Sequence, residues 1–210
     1  MRIWTAQRNS TLKQIIQHGM YYPDFQFANG MASEGMKAIY PDLLNMYSTV
    51  NNLKCKGLIF AISSLNNKLV TNYNDYRDFF ESNPMFSDSV SFLGEDYSIL
   101  ELEVDKNLNL VPINFQDFIV IAMRKTGGEW KDYCNTEFVD LSYTSFENDY
   151  KLSGSRGFII EEIDNRIEQC HMHYINIDDI VNVFPVTDYE NSKTYNLSQE
   201  AITLLNSIKK

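Results

Sequence analysis

Ile3-Trp4-Thr5-Ala6-Gln7 alternates side chains with the two-residue period of a strand. Ser10 then stands where a helix N-cap belongs, Leu12, Ile15 and Ile16 form one apolar stripe, and Gly19 stands at the C-cap. A strand passing into a helix that ends at glycine, with Met20-Tyr21-Tyr22-Pro23 following, sets the frame for the rest. Further along, Ser33 to Val50 predicts a second helix, bent or restarted at Pro41. Gly57 to Ser63 predicts a buried strand, Tyr73 to Glu81 a short helix, and Tyr97 to Asp105 another strand. Phe115, Phe118, Ile119 and Ala122 recur at helical spacing before Gly127-Gly128.

The clearest turn signal comes late. Phe158 to Ile163 and Arg166 to Ile175 are strand-like runs separated by Asp164-Asn165, which predicts a β-hairpin. Ile180 to Val186 is a further strand and Ser198 to Ile208 a closing helix. Strands dispersed among helices predict an α+β fold with a mixed, mostly antiparallel sheet, the late β-hairpin and flanking helices. At 210 residues one domain spanning 1–210 is expected, with a variable insertion at 65–94, where Asn, Ser, Asp and Tyr dominate.

Twenty-eight acidic residues against eighteen basic ones give a net charge of -10, which repels phosphate polymers and anionic bilayers. Direct nucleic-acid binding and membrane association are therefore not expected, and no stretch is apolar for long enough to span a bilayer. Cys55, Cys134 and Cys170 are odd in number and lack C-x-x-C pairing, which disfavours a disulfide framework or a cysteine zinc site and points to a reducing, cytoplasmic setting.

In the expected two-residue hairpin, Glu161 faces Glu168 on one side, while Glu162, Gln169, His171 and His173 share the other. Apposed carboxylates occur in catalytic sites and on wet surfaces, where solvent screens their repulsion. His171, His173 and Glu162 have the donor types of a zinc or iron site, but any i, i+2 strand pair shares a face, so local hydrogen bonding is favoured and no metal is assigned. Tyr21-Tyr22-Pro23 either stacks on an aromatic ligand or lids the core. Dinucleotide, Walker, zincin and nucleophile-elbow motifs are missing.

Ile3 to Gln7, the helix ending at Gly19 with Met20-Tyr21-Tyr22 after it, Ile99 to Val104 leading into Phe115 to Phe118, Glu129-Trp130, and Glu168-Gln169 leading into Asp178 to Val183 together resemble an uncharacterised bacterial and phage family that opens with a W-T-x-Q strand. The opening is also similar to that of ADP-ribosyltransferase-like domains. That resemblance implies an enzyme that binds NAD and modifies a macromolecular target. It implies Thr5 and Gln7 lining the nicotinamide pocket, Tyr21 or Tyr22 covering it, and Glu168 with Gln169 at the late acidic position, Glu168 acting as the catalytic charge stabiliser. The late strand carries Glu-Gln-Cys-His where the family has Glu-x-Glu or Gln-x-Glu, and adjacent residues of a regular strand face opposite ways, so Glu168 and Gln169 share a pocket only across a bulge. The competing expectation is a non-catalytic acidic phage or mobile-element protein that binds and inhibits a host protein through its aromatic, negatively charged surface.

Overall fold

Alternation in the first residues becomes β1, Arg2–Arg8, and its Ile3, Trp4 and Thr5 are all buried. The computed structural model describes residues 1–27, 34–65, 68–82, 94–105, 110–114 and 167–209. After β1 come α1 (Asn9–His18), β2 (Met20–Tyr21), α2 (Glu34–Asn51), β3 (Ile59–Leu65), β4 (Lys68–Leu69) and α3 (Tyr73–Ser82). They are followed by β5 (Tyr97–Glu103), β6 (Val111–Asn114), β7 (Ile167–Met172), β8 (Ile175–Asn176), β9 (Ile180–Pro185), β10 (Thr187–Asp188), β11 (Lys193–Thr194) and α4 (Gln199–Ile208).

The fold is α+β, with four helices among the described residues and one large sheet ordered β6-β7-β3-β1-β5-β9. Each neighbouring pair is antiparallel, and β4 folds back on β3. The hairpin arm Phe158–Ile163 lies outside the described residues, as do Glu161, Glu162 and the helix expected near 115–124. β7 pairs with β3 and β6.

β1 therefore runs through the middle of the sheet with both faces covered, and its alternation sorts two cores. Ile3 joins Leu12 and Ile15 of α1, Ala61, Leu100, Cys170, and Ala201 and Leu204 of α4. Trp4, on the other face, joins Tyr76, Phe79 and Phe80 of α3 together with Ile99 and Ile167. The Trp4 ring packs 5.8 Å from both Tyr76 and Phe184, and its Nε1 donates to the Val70 carbonyl at 3.1 Å. Within 65–94, Leu65, Val70 and the buried face of α3 close over the indole. A third cluster places Tyr40, Leu43, Met46 and Tyr47 of α2 against Leu58 and Val111.

Two local expectations are corrected. α1 starts at Asn9 with Arg8 at its N-cap position and no side-chain cap, rather than being capped by Ser10. The strand passes into the helix without a loop, and the Asn9 side chain is engaged elsewhere, donating to the Glu95 carbonyl and accepting from Ser198 Oγ at 2.9 Å. α2 runs through Pro41 as one helix, so of the expected bend or restart the restart does not occur. Gly19 and Ser198 cap as expected: Gly19 is left-handed at φ 72° with its N–H on the Ile15 carbonyl, and Ser198 Oγ accepts from Ala201 N at 3.1 Å. No helix among the described residues is long and apolar enough to cross a membrane.

Gly57 fixes the approach to β3. A Cβ there would lie 2.5 Å from the Pro23 carbonyl oxygen and 2.6 Å from its carbon, backbone atoms that no rotamer change can clear. The contact is held by Phe25 N–H donating to the Lys56 carbonyl at 2.8 Å and by the Phe25 ring stacked 4.2 Å from Tyr40. Gly57→Ala is expected to cost about 2–3 kcal/mol in urea unfolding. Gly94→Ala, at φ 64° in open space, is expected to cost about 1 kcal/mol. Equal losses at the two glycines would contradict the Pro23 contact.

Candidate functional site

β3 and β7 pair in regular register from Ile59 opposite Met172 to Ile62 opposite Gln169, then shift so that Ser64 meets Glu168. One residue on β3, Ser63, is left over as a β-bulge. Its hydroxyl is fully buried and donates to Glu168 Oε1 at 2.5 Å. Hydrogen bonds from a hydroxyl to an ionised carboxylate are short and strong. This bond fixes the direction of one carboxylate oxygen of the half-buried Glu168, while the other remains an acceptor. Cys170 lies one side chain further along the same face, where burial pushes its thiol up to about 12, the Ser63 hydroxyl bond opposes that shift, and the Glu168 charge adds to it. It is therefore a neutral thiol and not a nucleophile at physiological pH.

Thr5 and Gln7 share this face of the sheet. Thr5 is 3% exposed, and its Oγ1 donates to the Phe60 carbonyl at 2.8 Å. With its single proton committed, that oxygen acts only as an acceptor toward Gln7, whose Nε2 donates to it at 2.9 Å. The network fixes the amide orientation and leaves Gln7 Oε1 as the remaining acceptor of this pair. Ser98 is opposite Gln7 on β5, and its buried hydroxyl has no hydrogen-bond partner among the described residues. From strand spacing and rise, Thr5 and Glu168 are roughly 12 Å apart at Cα, across β3.

The other candidates lie elsewhere. Gln169 is in the row Gln169–Ile62–Trp4, on the opposite face from Glu168; the bulge is on β3 and leaves the alternation of β7 intact. Tyr21 pairs with Ile175 between β2 and β8, fastened by Ile177 N–H on the Gly19 carbonyl at 2.8 Å. Tyr22 is 60% exposed, with its ring 5.9 Å from Tyr174. Both tyrosines thus sit beyond the far end of β7 from Glu168.

The two histidines do not converge. The His171 ring meets Phe60 edge-on at 4.6 Å within the sheet, whereas His173 has its Nδ1 3.1 Å from the Tyr47 hydroxyl. Among the described residues no group of three metal-ligating side chains assembles. Ser63 was not singled out in the sequence; its only trace there is the Ser63-Ser64 pair closing an otherwise apolar strand. Searches against known proteins find no matching family model, no matching curated protein and no matching solved structure.

Burial holds the His171 imidazole neutral, depressing its pKa to about 3. The unfolded chain protonates this residue near pH 6.5, so between pH 6.5 and about 3 it binds the extra proton and stability falls with pH. The residue's contribution is expected to reach a slope of about 1.4 kcal/mol per pH unit within that window. Urea unfolding of the wild type and His171→Gln from pH 7.5 to 4.5 should give a stability difference constant above pH 7 that shifts in favour of the variant as pH falls. A difference independent of pH would contradict a neutral buried imidazole.

Proposed function

We propose that the chain is an ADP-ribosyltransferase-like protein that binds NAD and modifies a macromolecular acceptor, with Glu168 as the charge-stabilising carboxylate. The observation that carries this reading is the bond from Ser63 Oγ to Glu168 Oε1, which holds one late-strand carboxylate in a fixed direction on the face shared with Thr5 and Gln7. A preorganised charge stabilises a transition state without waiting for solvent or side chains to reorganise.

The donor set suits nicotinamide riboside. Glu168 offers an anionic acceptor for ribose hydroxyls, and Gln7 Oε1, oriented through Thr5, offers an acceptor for a carboxamide N–H. NAD supplies a cleavable bond between the ribose anomeric carbon and the nicotinamide nitrogen. Positive charge grows at that carbon as the bond lengthens, and the Glu168 carboxylate stabilises it. The acceptor nucleophile forms the new bond to the same carbon and loses a proton, while nicotinamide departs neutral. Thr5 acts indirectly, by positioning Gln7. Tyr22 and Gln169 are not assigned contacts in this scheme, since one is beyond the end of β7 and the other on the opposite face.

Glu168→Gln preserves size and a hydrogen-bond acceptor for Ser63 but removes the charge. Nicotinamide release from NAD, measured in cell lysate that supplies acceptors, is expected to fall by about a hundredfold or more. The NAD-dependent rise in Tm should persist in the variant, because binding draws on other contacts as well. Undiminished release by Glu168→Gln, or a wild type that neither releases nicotinamide nor gains thermal stability with NAD, would overturn the assignment.

A further inference from the structure

Beyond the far end of β7, the chain builds a shallow hollow open to solvent. Met172 and Leu110 contribute to its lining, together with Tyr47, His173, Tyr174 and Asp179. His173 and Tyr174 meet edge to face at 4.8 Å, and the Tyr47 hydroxyl ties down the imidazole at 3.1 Å. Tyr22 extends the aromatic surface outward from Tyr174. Aromatic faces carry negative potential, and here a carboxylate stands beside them.

Asp179 is half-buried, and burial raises its pKa, so that a cationic partner would relieve the cost of keeping it ionised. It has no such partner among the described residues; neither does the exposed neighbouring Asp178. The 3₁₀ turn Ile177–Asp179 is itself rigidly started, with Asn176 Oδ1 accepting from Asp178 N at 3.1 Å. Burial also keeps the His173 ring neutral, so no positive charge of the hollow's own opposes a cation.

We infer that this hollow is a docking site for an arginine side chain of a partner protein. A guanidinium is planar, weakly hydrated and permanently charged, so it stacks on Tyr174 while its edge donates to the Asp179 carboxylate. Charge complementarity favours this occupant, because a chain of net charge -10 attracts basic protein surfaces at long range. The hollow is five residues along the chain from Glu168, roughly 16 Å of extended strand. It thus grips a partner without touching the reacting atoms, and it stands whether or not Glu168 acts on NAD.

The test uses the whole chain, ¹³C-labelled at aromatic side chains, titrated with N-acetyl-argininamide and separately with N-acetyl-citrullinamide, its uncharged near-isostere. Saturable shifts confined to Tyr47, His173, Tyr174 and Tyr22 with the arginine amide, and none with the citrulline amide, are expected. Asp179→Asn should weaken that binding by about tenfold, while Asp75→Asn, a surface carboxylate on α3, should leave it unchanged. Equal shifts with both amides, shifts spread over aromatic rings throughout the surface, or no saturable shift by 50 mM (roughly the weakest affinity a stacked ion pair would give) would overturn the proposal. The two ligands are compared on the wild type, so the result does not depend on either variant folding.

Discussion

Ser63 is the extra residue of a bulge in β3, and its buried hydroxyl meets the Glu168 carboxylate at 2.5 Å. Without that bond a buried serine hydroxyl would be left with an unmade hydrogen bond, at a cost of about 1–3 kcal/mol. The register up to Ile62–Gln169 sets Ser63 opposite Glu168, 105 residues away in sequence, and the bulge places Ser64 against the same residue, so that the ladder beyond is displaced by one position. At this point of the sheet the β3–β7 register shifts, and the Ser63 hydroxyl fixes the direction of the carboxylate on which the proposed chemistry rests.

The site exists where it does because β1 is central. A strand with β3 on one side and β5 on the other, and with helices α1 and α4 on one face and α3 on the other, has no free edge and little solvent contact. Polar groups on such a strand need partners within the protein. Thr5 finds one in the Phe60 carbonyl and passes the constraint on to Gln7, whose amide reaches less buried ground near the end of the strand. Trp4 anchors the opposite face through its ring contacts and its bond to Val70. Arg2, two positions earlier, pairs with the nearly buried Glu101 at 2.9 Å, so the carboxylate directly opposite Trp4 is also neutralised. The polar groups of β1 are thus positioned by necessity of burial before any ligand is considered.

Much of this frame could be read from residue patterns. Alternation at Ile3–Gln7, the glycine at 19, the apolar run after Gly57 and the capping serine at 198 each encode a local preference that the tertiary structure reinforces. Other features depend on contacts between distant residues. The absence of Ser10 from the N-cap follows from an uninterrupted strand-to-helix passage, and the burial of Tyr76 and Phe79 follows from where Trp4 points; a polar-looking stretch hid both facts. The sequence singled out Glu168 and Gln169 together but could not choose between their faces, since that choice rests on which partner strand carries the extra residue. Ser63 was invisible for the same reason: a serine at the end of an apolar strand is unremarkable until a carboxylate is placed against it. The aromatic pair Tyr22 and Tyr174 unites two loops that the chain order separates, joined through the Gly19 carbonyl and Ile177.

A titration of isotope-labelled protein with NAD, followed through the backbone amide and aromatic ring resonances, probes the carboxylate site itself. A dinucleotide whose ribose lies against Glu168 should shift Ser63, Ser64 and Glu168 in one saturable transition and leave the rings around Tyr174 still. Saturation that moves only the Tyr22–Tyr174 end, or spectra unchanged at millimolar NAD (the weak limit of ordinary cosubstrate affinity, about 1 mM), would contradict a nucleotide site at the bulge.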